Sequence, residues 1–350
     1  MKKYLPLLIS ILIITITFGN ISNATNKSII SNLSKIQWGN INGVDVENIT
    51  FNDSCYKGTN LSCPLEWWYF DAMFQNGYSV EFHINIGAAN DIGVISPMIN
   101  VYKEGNLIFH NDEFLYLNHF QSYEDKPIIK LDEKKIINGF IDKDGKLIFY
   151  LNYSIDNCSI DLKFEEITQG WKSKIIDLWW WGVLMPNSKV TGSIELDNNI
   201  VEVQGNGYLE HAWDGKIPMV WGWYWGKFIG NNMSIIWSEI FKNPWDRYLI
   251  MVLNEDHGSY YNIPYKNITI HLKDYQWNDG WIIPTSFNFE ANTNDIKINL
   301  QAKSITIIHQ ISLLSFNYWR YHVNIVGTIQ LGNNIEYIDN IQIMDLTRFY

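Results

Sequence analysis

The stretch GSIELDNNIVEV at 192–203 returns as GTIQLGNNIEYI at 327–338, a spacing of 135 residues (327 − 192). Each copy alternates apolar and polar residues on both sides of an Asn-Asn pair, the pattern of a β-hairpin with one buried face. A second echo precedes it. Trp68-Tyr69, Asn76-Gly77-Tyr78-Ser79-Val80 and Phe82 return as Trp223-Tyr224, Asn231-Asn232-Met233-Ser234-Ile235 and Trp237, each 155 residues on (223 − 68). One hairpin therefore opens each half of the chain and another closes it, with loops of different length between. Such an order predicts sheets closed on themselves, which removes exposed edges. The expected fold is all-β, two consecutive antiparallel barrels at about 37–219 and 220–350.

The remaining sequence agrees. Asp144-Gly145, Asp279-Gly280 and similar turn signals punctuate short strand patterns, and no capped helical pattern of ten or more residues follows the N-terminus. Val80 to Ile86 alternates an apolar face with Glu81, His83 and Asn85, a polar face that reads as solvated barrel exterior. With 47% hydrophobic and 18% charged residues, the 350-residue chain is a folded one. A net charge of −11 without a basic run leaves nothing to neutralise phosphates. Nucleic acid and anionic membrane surfaces are thereby excluded as partners. No His or Cys spacing of metal-ligand type occurs, so no metal is expected, and a Gly-x-Ser-x-Gly nucleophile elbow and phosphate-cradling glycine loops are likewise missing.

At the N-terminus, Lys2 and Lys3 precede an apolar run from Leu5 to Phe18 that is too short to span a bilayer, and Ser22-Asn23-Ala24 offers a cleavage site. Residues 1–24 are expected to be an export signal and 25–36 a polar linker. The product is then secreted or in the cell envelope, with no stable membrane insertion once the signal is removed; left uncleaved, the same segment would anchor the chain instead. Export permits disulfides. Cys55 and Cys63 stand close enough to staple a loop, which leaves Cys158 odd; three unpaired thiols is the other outcome.

Residues 205–240, GNGYLEHAWDGKIPMVWGWYWGKFIGNNMSIIWSEI, place Glu210, His211, Asp214 and Glu239 among Trp213, Trp221, Trp223, Trp225 and Trp237. A carboxylate or imidazole in such dry surroundings has a shifted proton affinity, which marks a site. The structural alternative is a core hairpin in which His211 bonds a carboxylate such as Glu210 or a backbone carbonyl.

Five segments together carry a family resemblance: EWWYFDA at 66–72, WWWGVLMPNSKVTGSIEL at 179–196, GNGYLEHAW at 205–213, WGWYWGKF at 221–228, and Ile283-Pro284 after Trp281. From about residue 38 to the C-terminus the chain resembles the carotenoid 1,2-hydratase (hydroxyneurosporene synthase, CrtC-like) and AttH superfamily. The resemblance implies tandem lipocalin-like barrels, a mostly apolar cavity at or near their junction, and no obligatory cofactor. It carries the family's His-x-Trp onto His211 and Trp213. The hydratases' acid-bearing Tyr-x-Asp falls by spacing on Trp237-Ser238-Glu239, where Glu keeps a proton donor and Trp loses a phenol. Asp214 stands where relatives have glycine.

Protonating the carbon of an unactivated double bond needs an acid held beside an apolar substrate and away from water. Indole faces stabilise the resulting cation by about 0.5–2 kcal/mol each. Glu239 is then the expected acid and His211 the base or water activator. Trp213, Trp237, Tyr224, Trp223, Glu66 and Trp68 are expected to bind an apolar isoprenoid, lipid or polycyclic molecule. The corresponding activity is a cofactor-free hydratase, isomerase or cyclase. Two other functions fit the same residues: a non-catalytic lipid or isoprenoid carrier, and a glycan binder using exposed tryptophan platforms. An enzyme requires Glu239 and His211 to converge on one void; a carrier does not.

Overall fold

Both echoes fold as hairpins. Trp179–Leu196 pairs with Asn199–Trp213, and Asn317–Leu331 pairs with Asn334–Arg348, in matching register next to the turn; farther out the first pair shifts register between Val183 and Ser188 and the second does not. Gly192 and Gly327 occupy the same place in the two copies with φ of 149° and 150°. A Cβ there would lie 1.9 Å from the Asp161 carbonyl oxygen in one copy and 2.1 Å from that of Asn299 in the other. Only glycine fits such an approach, so each copy begins with one.

The opening hairpins, Leu65–Phe74 with Tyr78–Ala89 and Gly222–Ile229 with Met233–Asn243, differ by one residue. Phe82 faces Phe70 in the first, whereas its echo Trp237 faces Gly226 in the second, because the second turn is one residue shorter. The counterpart of Trp68 is therefore Tyr224 rather than Trp223. By the same shift Tyr69 corresponds to Trp225, and Asp71 to Lys227.

The computed structural model describes residues 40–58, 65–89, 92–175, 179–215, 220–243, 245–311 and 317–349. The expected signal and linker, and Cys63, lie outside the described residues. Cys55 and Cys158 are buried free thiols. Apart from three short 3-10 turns, all regular structure among the described residues is strand. One curled sheet holds the strands from Glu47–Asn48 to Asn199–Trp213; the other holds those from Gly222–Ile229 to Asn334–Arg348. In each, the first long strand pairs with the last, Leu65–Phe74 with Asn199–Trp213 and Gly222–Ile229 with Asn334–Arg348. Phe70, Phe82, Phe149 and Phe164 fill the first sheet's interior, and Trp237, Phe287, Phe289 and Trp319 the second's. The fold is two consecutive lipocalin-like barrels.

Full closure, which the sequence predicts, is not reached among the described residues. The outermost long strands of each sheet, such as Asp246–Glu255 and Ile268–Asn278 in the second, do not pair with each other. The short strand Asn40–Gly43 instead adds parallel to Asp246–Glu255 and covers that edge. A third apolar cluster joins the barrels, with Tyr69, Trp171, Trp179, Trp181 and Tyr208 against Trp225, Ile236, Ile240 and Ile250.

Candidate active site

Side chains alternate along a strand, so the strands that fill each barrel with one face turn the other towards the neighbouring barrel. There they enclose a cavity of about 380 Å³, near the small end of ligand sites, which run roughly 300–1,000 Å³. The first barrel lines it with Trp67, Tyr69, His83, Asn85, Trp179, Trp181 and Glu210, and the second with Trp223, Trp225, Ser238, Ile240, Tyr318, Asp345 and Thr347. Equivalent positions meet. Tyr69 and its counterpart Trp225 touch edge to face, 5.4 Å between centroids, and Asp71 forms an ion pair with its counterpart Lys227.

Two carboxyls enter the cavity. Glu210 and Asp345 lie 135 residues apart (345 − 210), the spacing of the closing hairpins, and they face Tyr69 and its counterpart Trp225 across the sheet. Glu210 accepts from Trp67 Nε1 at 3.1 Å, Trp181 Nε1 at 2.6 Å and the Tyr208 hydroxyl at 2.5 Å. Burial raises its proton affinity, against the lowering effect of those three bonds. No cation stands within ion-pair distance of it among the described residues.

Asp345 sits in a different environment. Its Oδ2 lies 3.2 Å from the Tyr69 hydroxyl and its Oδ1 is 3.4 Å from Arg320 Nη1. Arg320 also binds Asp71 at 2.5 Å and Glu81 at 3.4 Å, and Lys227 binds Asp71 at 2.5 Å. Three acids thus share two fixed cations. Burial raises Asp71 and Glu81, but Lys227 and Arg320 outweigh it at Asp71, and Arg320, His83 and Tyr318 at Glu81; both stay below the usual carboxylate range. Asp345 is pushed well up by burial and by those two anions, with Arg320 opposing. Of the three, it is the one that lines the cavity and the one whose proton affinity is raised.

The residues expected to form the catalytic pair are placed apart. His211 is fully buried inside the first barrel. Its Nδ1 meets the Asp53 carbonyl at 2.6 Å, its Nε2 meets Glu66 Oε1 at 2.8 Å, and its ring stacks on Trp68 at 4.2 Å. The carboxylate partner is Glu66 rather than Glu210, because adjacent residues of one strand face opposite ways. Glu239 points with Trp237 into the second barrel, where Arg247 binds it at 2.7 Å and burial raises it. The two share no partner and neither lines the cavity.

Trp213 lies against His211, and Tyr224 lies under Arg348 inside the second barrel. Of the residues singled out as catalytic or binding, Trp223 alone lines the cavity. Asp214 takes a left-handed conformation, φ 56°, one that glycine adopts freely. The polar face of Glu81, His83 and Asn85 does point outward, yet it is covered by the second barrel: Glu81 is fully buried. Asp345 and Arg320 lie outside the quoted motifs, and Tyr69 lies within one without being marked there as a site residue. The signal for Asp345 was present, since it repeats Glu210 at the hairpin spacing.

No family model matches the chain, and no curated protein matches it in sequence. Its fold is similar to that of an AttH-type protein from Nitrosomonas europaea, with a TM-score of 0.63 and 13% identity over 87% of this chain and 98% of that one. Kievitone hydratase from Nectria haematococca gives a TM-score of 0.55 at 11% identity, over 86% of this chain and 93% of its own. CghA with Sch210972 gives 0.50 at 9% identity, over 87% and 98%. These likenesses show a shared tandem-barrel fold.

Proposed function

We propose that the protein is an exported, cofactor-free proton-transfer enzyme of hydratase, isomerase or cyclase type. Its substrate is a compact apolar molecule, a polycycle or short isoprenoid, held between the barrels. One observation carries this reading: Glu210 and Asp345, from equivalent last strands, enter a single cavity walled by indole.

The two differ in what surrounds them, and that difference divides their roles. Asp345 holds a proton in dry surroundings and can deliver it to carbon. Trp67, Trp179, Trp223 and Trp225 offer π faces to the cation that results, about 0.5–2 kcal/mol each. Glu210, fixed by three neutral donors, has a basicity raised by burial and takes a proton from water or from the adjacent carbon. The hydratase named among the similar structures is in keeping with this chemistry. A cavity of about 380 Å³ favours a compact ligand over a long polyene.

Incubation with apolar extracts of the host in D₂O, read by mass spectrometry, tests the proposal. Turnover adds one deuterium to an isomer or cyclised product, or the mass of D₂O to a hydrated one. Asp345→Asn and Glu210→Gln should each slow this by about 10²–10⁴-fold, the usual share of a positioned acid or base. Glu239→Gln should not. A ligand retained by the wild type but recovered unchanged would sink the enzyme and leave a carrier.

A further inference from the structure

We propose that Tyr69, Asp71 and Lys227 form a proton relay that resupplies Asp345 from a polar cleft at the opposite end of the barrel junction. The inference rests on Asp345 being the acid proposed above.

The cleft holds about 1020 Å³ and is bordered by turn residues including Asn76, Gly77 and Asn231. Three strands run from the cavity to it. Leu65–Phe74 contributes Trp67 and Tyr69 to the cavity and Met73 and Phe74 to the cleft; Gly222–Ile229 contributes Trp223 and Trp225, then Lys227 and Ile229; Asn334–Arg348 gives Asp345 to the cavity and Gln342 to the cleft. The buried ionic network lies on the stretch between them.

Across that stretch the hydrogen bonds are continuous. Tyr69 OH is 3.2 Å from Asp345 Oδ2 and 3.0 Å from Asp71 Oδ2, and Lys227 Nζ is 2.5 Å from Asp71 Oδ1. A phenol has one proton and two lone pairs. Arg320 Nη1 donates to Tyr69 at 2.9 Å, and the ionised Asp71 takes the phenolic proton. The remaining lone pair faces Asp345, and the bond is complete only if Asp345 carries a proton. Arg320 anchors the chain through Asp71 and cannot pass protons, since guanidinium does not titrate in proteins. The other groups around Asp345 are Tyr318, which bonds Asp345 and, at 2.7 Å, Glu81, and Glu81 itself; neither borders the cleft.

When Asp345 gives its proton to substrate carbon, its carboxylate takes the Tyr69 proton. The Lys227 ammonium protonates Asp71 at Oδ1, the Asp71 carboxyl turns to pass that proton to the Tyr69 oxygen, and the Lys227 amine takes one from a hydronium ion or buffer acid in the cleft. One proton enters for each that left on substrate, and no charge remains displaced. Burial lowers the proton affinity of Lys227, which eases its release.

Stopped-flow infrared spectroscopy of the whole protein on mixing into D₂O decides the matter, following the carboxyl band that is missing in Asp345→Asn. The wild type should exchange rapidly. Tyr69→Phe should keep the band but slow its exchange by about a hundredfold, the low end for loss of a positioned proton carrier. Lys227→Arg keeps the charge beside Asp71 yet holds its proton, so the same slowing is expected there, where a purely structural role predicts none. Tyr69→Phe removes one oxygen and decides alone if the arginine does not fit. Unchanged exchange in the folded variants overturns the relay and routes protons through the cavity. A band absent from the wild type at neutral pH overturns instead the assignment of Asp345 as the acid.

Discussion

The two barrels present equivalent faces to each other, as two copies in a symmetric dimer would, but they carry different charge there. The first supplies Asp71 and Glu81. The second supplies Lys227 at the position of Asp71, and Arg320 opposite Asp345 where the first barrel has Val183 opposite Glu210. Acids on one side and cations on the other convert a self-matching surface into one that fits in a single arrangement. The same divergence gives the two cavity carboxyls different surroundings: neutral indole and phenol donors at Glu210, a crowded ionic network at Asp345. Titratable pairs held in contrasting environments are how one site supplies both an acid and a base.

The largest break in this comparison comes from Arg320. Arg320→Met leaves Asp71, Glu81 and Asp345 with Lys227 as the remaining fixed cation, and losing one partner of a buried ionic cluster costs about 3–5 kcal/mol. Urea denaturation measures it, and a loss near zero would mean that the charges do not lock the barrels. What the halves share is tested by Gly192→Ala and Gly327→Ala. A side chain at that backbone geometry costs on the order of 1–3 kcal/mol, and each meets a carbonyl oxygen of the neighbouring strand. Similar losses are expected in both; a harmless substitution in one would show that the copies no longer carry equal strain.

Sequence showed the fold through spacing that survives divergence, because Gly192 and Gly327 are fixed by a steric condition that admits one residue type. It showed less at the opening hairpins. A turn one residue shorter shifts Trp223 off the counterpart position of Trp68 and flips which of the pair faces the barrel. The site was harder still. His211 and Glu239 drew attention through their tryptophan neighbours, but strand alternation turns both inward, away from the junction. Glu81 and His83 read as solvent-facing because alternation gives the face and not what covers it. Only the packing of one barrel on the other brings Tyr69, Asp71, Lys227, Arg320 and Asp345 together, from segments separated by more than two hundred residues in the case of Asp71 and Arg320.

Smaller effects sharpen the contrast between the carboxyls. Asp345 has a folded-state proton affinity raised to about 8 from 3.8. The folded chain thus holds a proton that the unfolded chain releases, and this contribution is complete below the ordinary carboxylate value and lost as pH rises through about 8. Asp345→Asn keeps a neutral group in place. Its melting temperature should therefore fall less than that of the wild type between neutral and alkaline pH, and parallel curves would return Asp345 to the ionised state. At Glu210 the expected shift is smaller. Trp67 donates to it, whereas the counterpart Trp223 packs on Trp179 and Phe349. Because the donated bond favours the ionised form, Trp67→Phe should move the titration of the Glu210 carboxyl band upward. Trp223→Phe should leave it in place, and equal movement in both would show that the cavity wall, rather than the indole bond, sets the base.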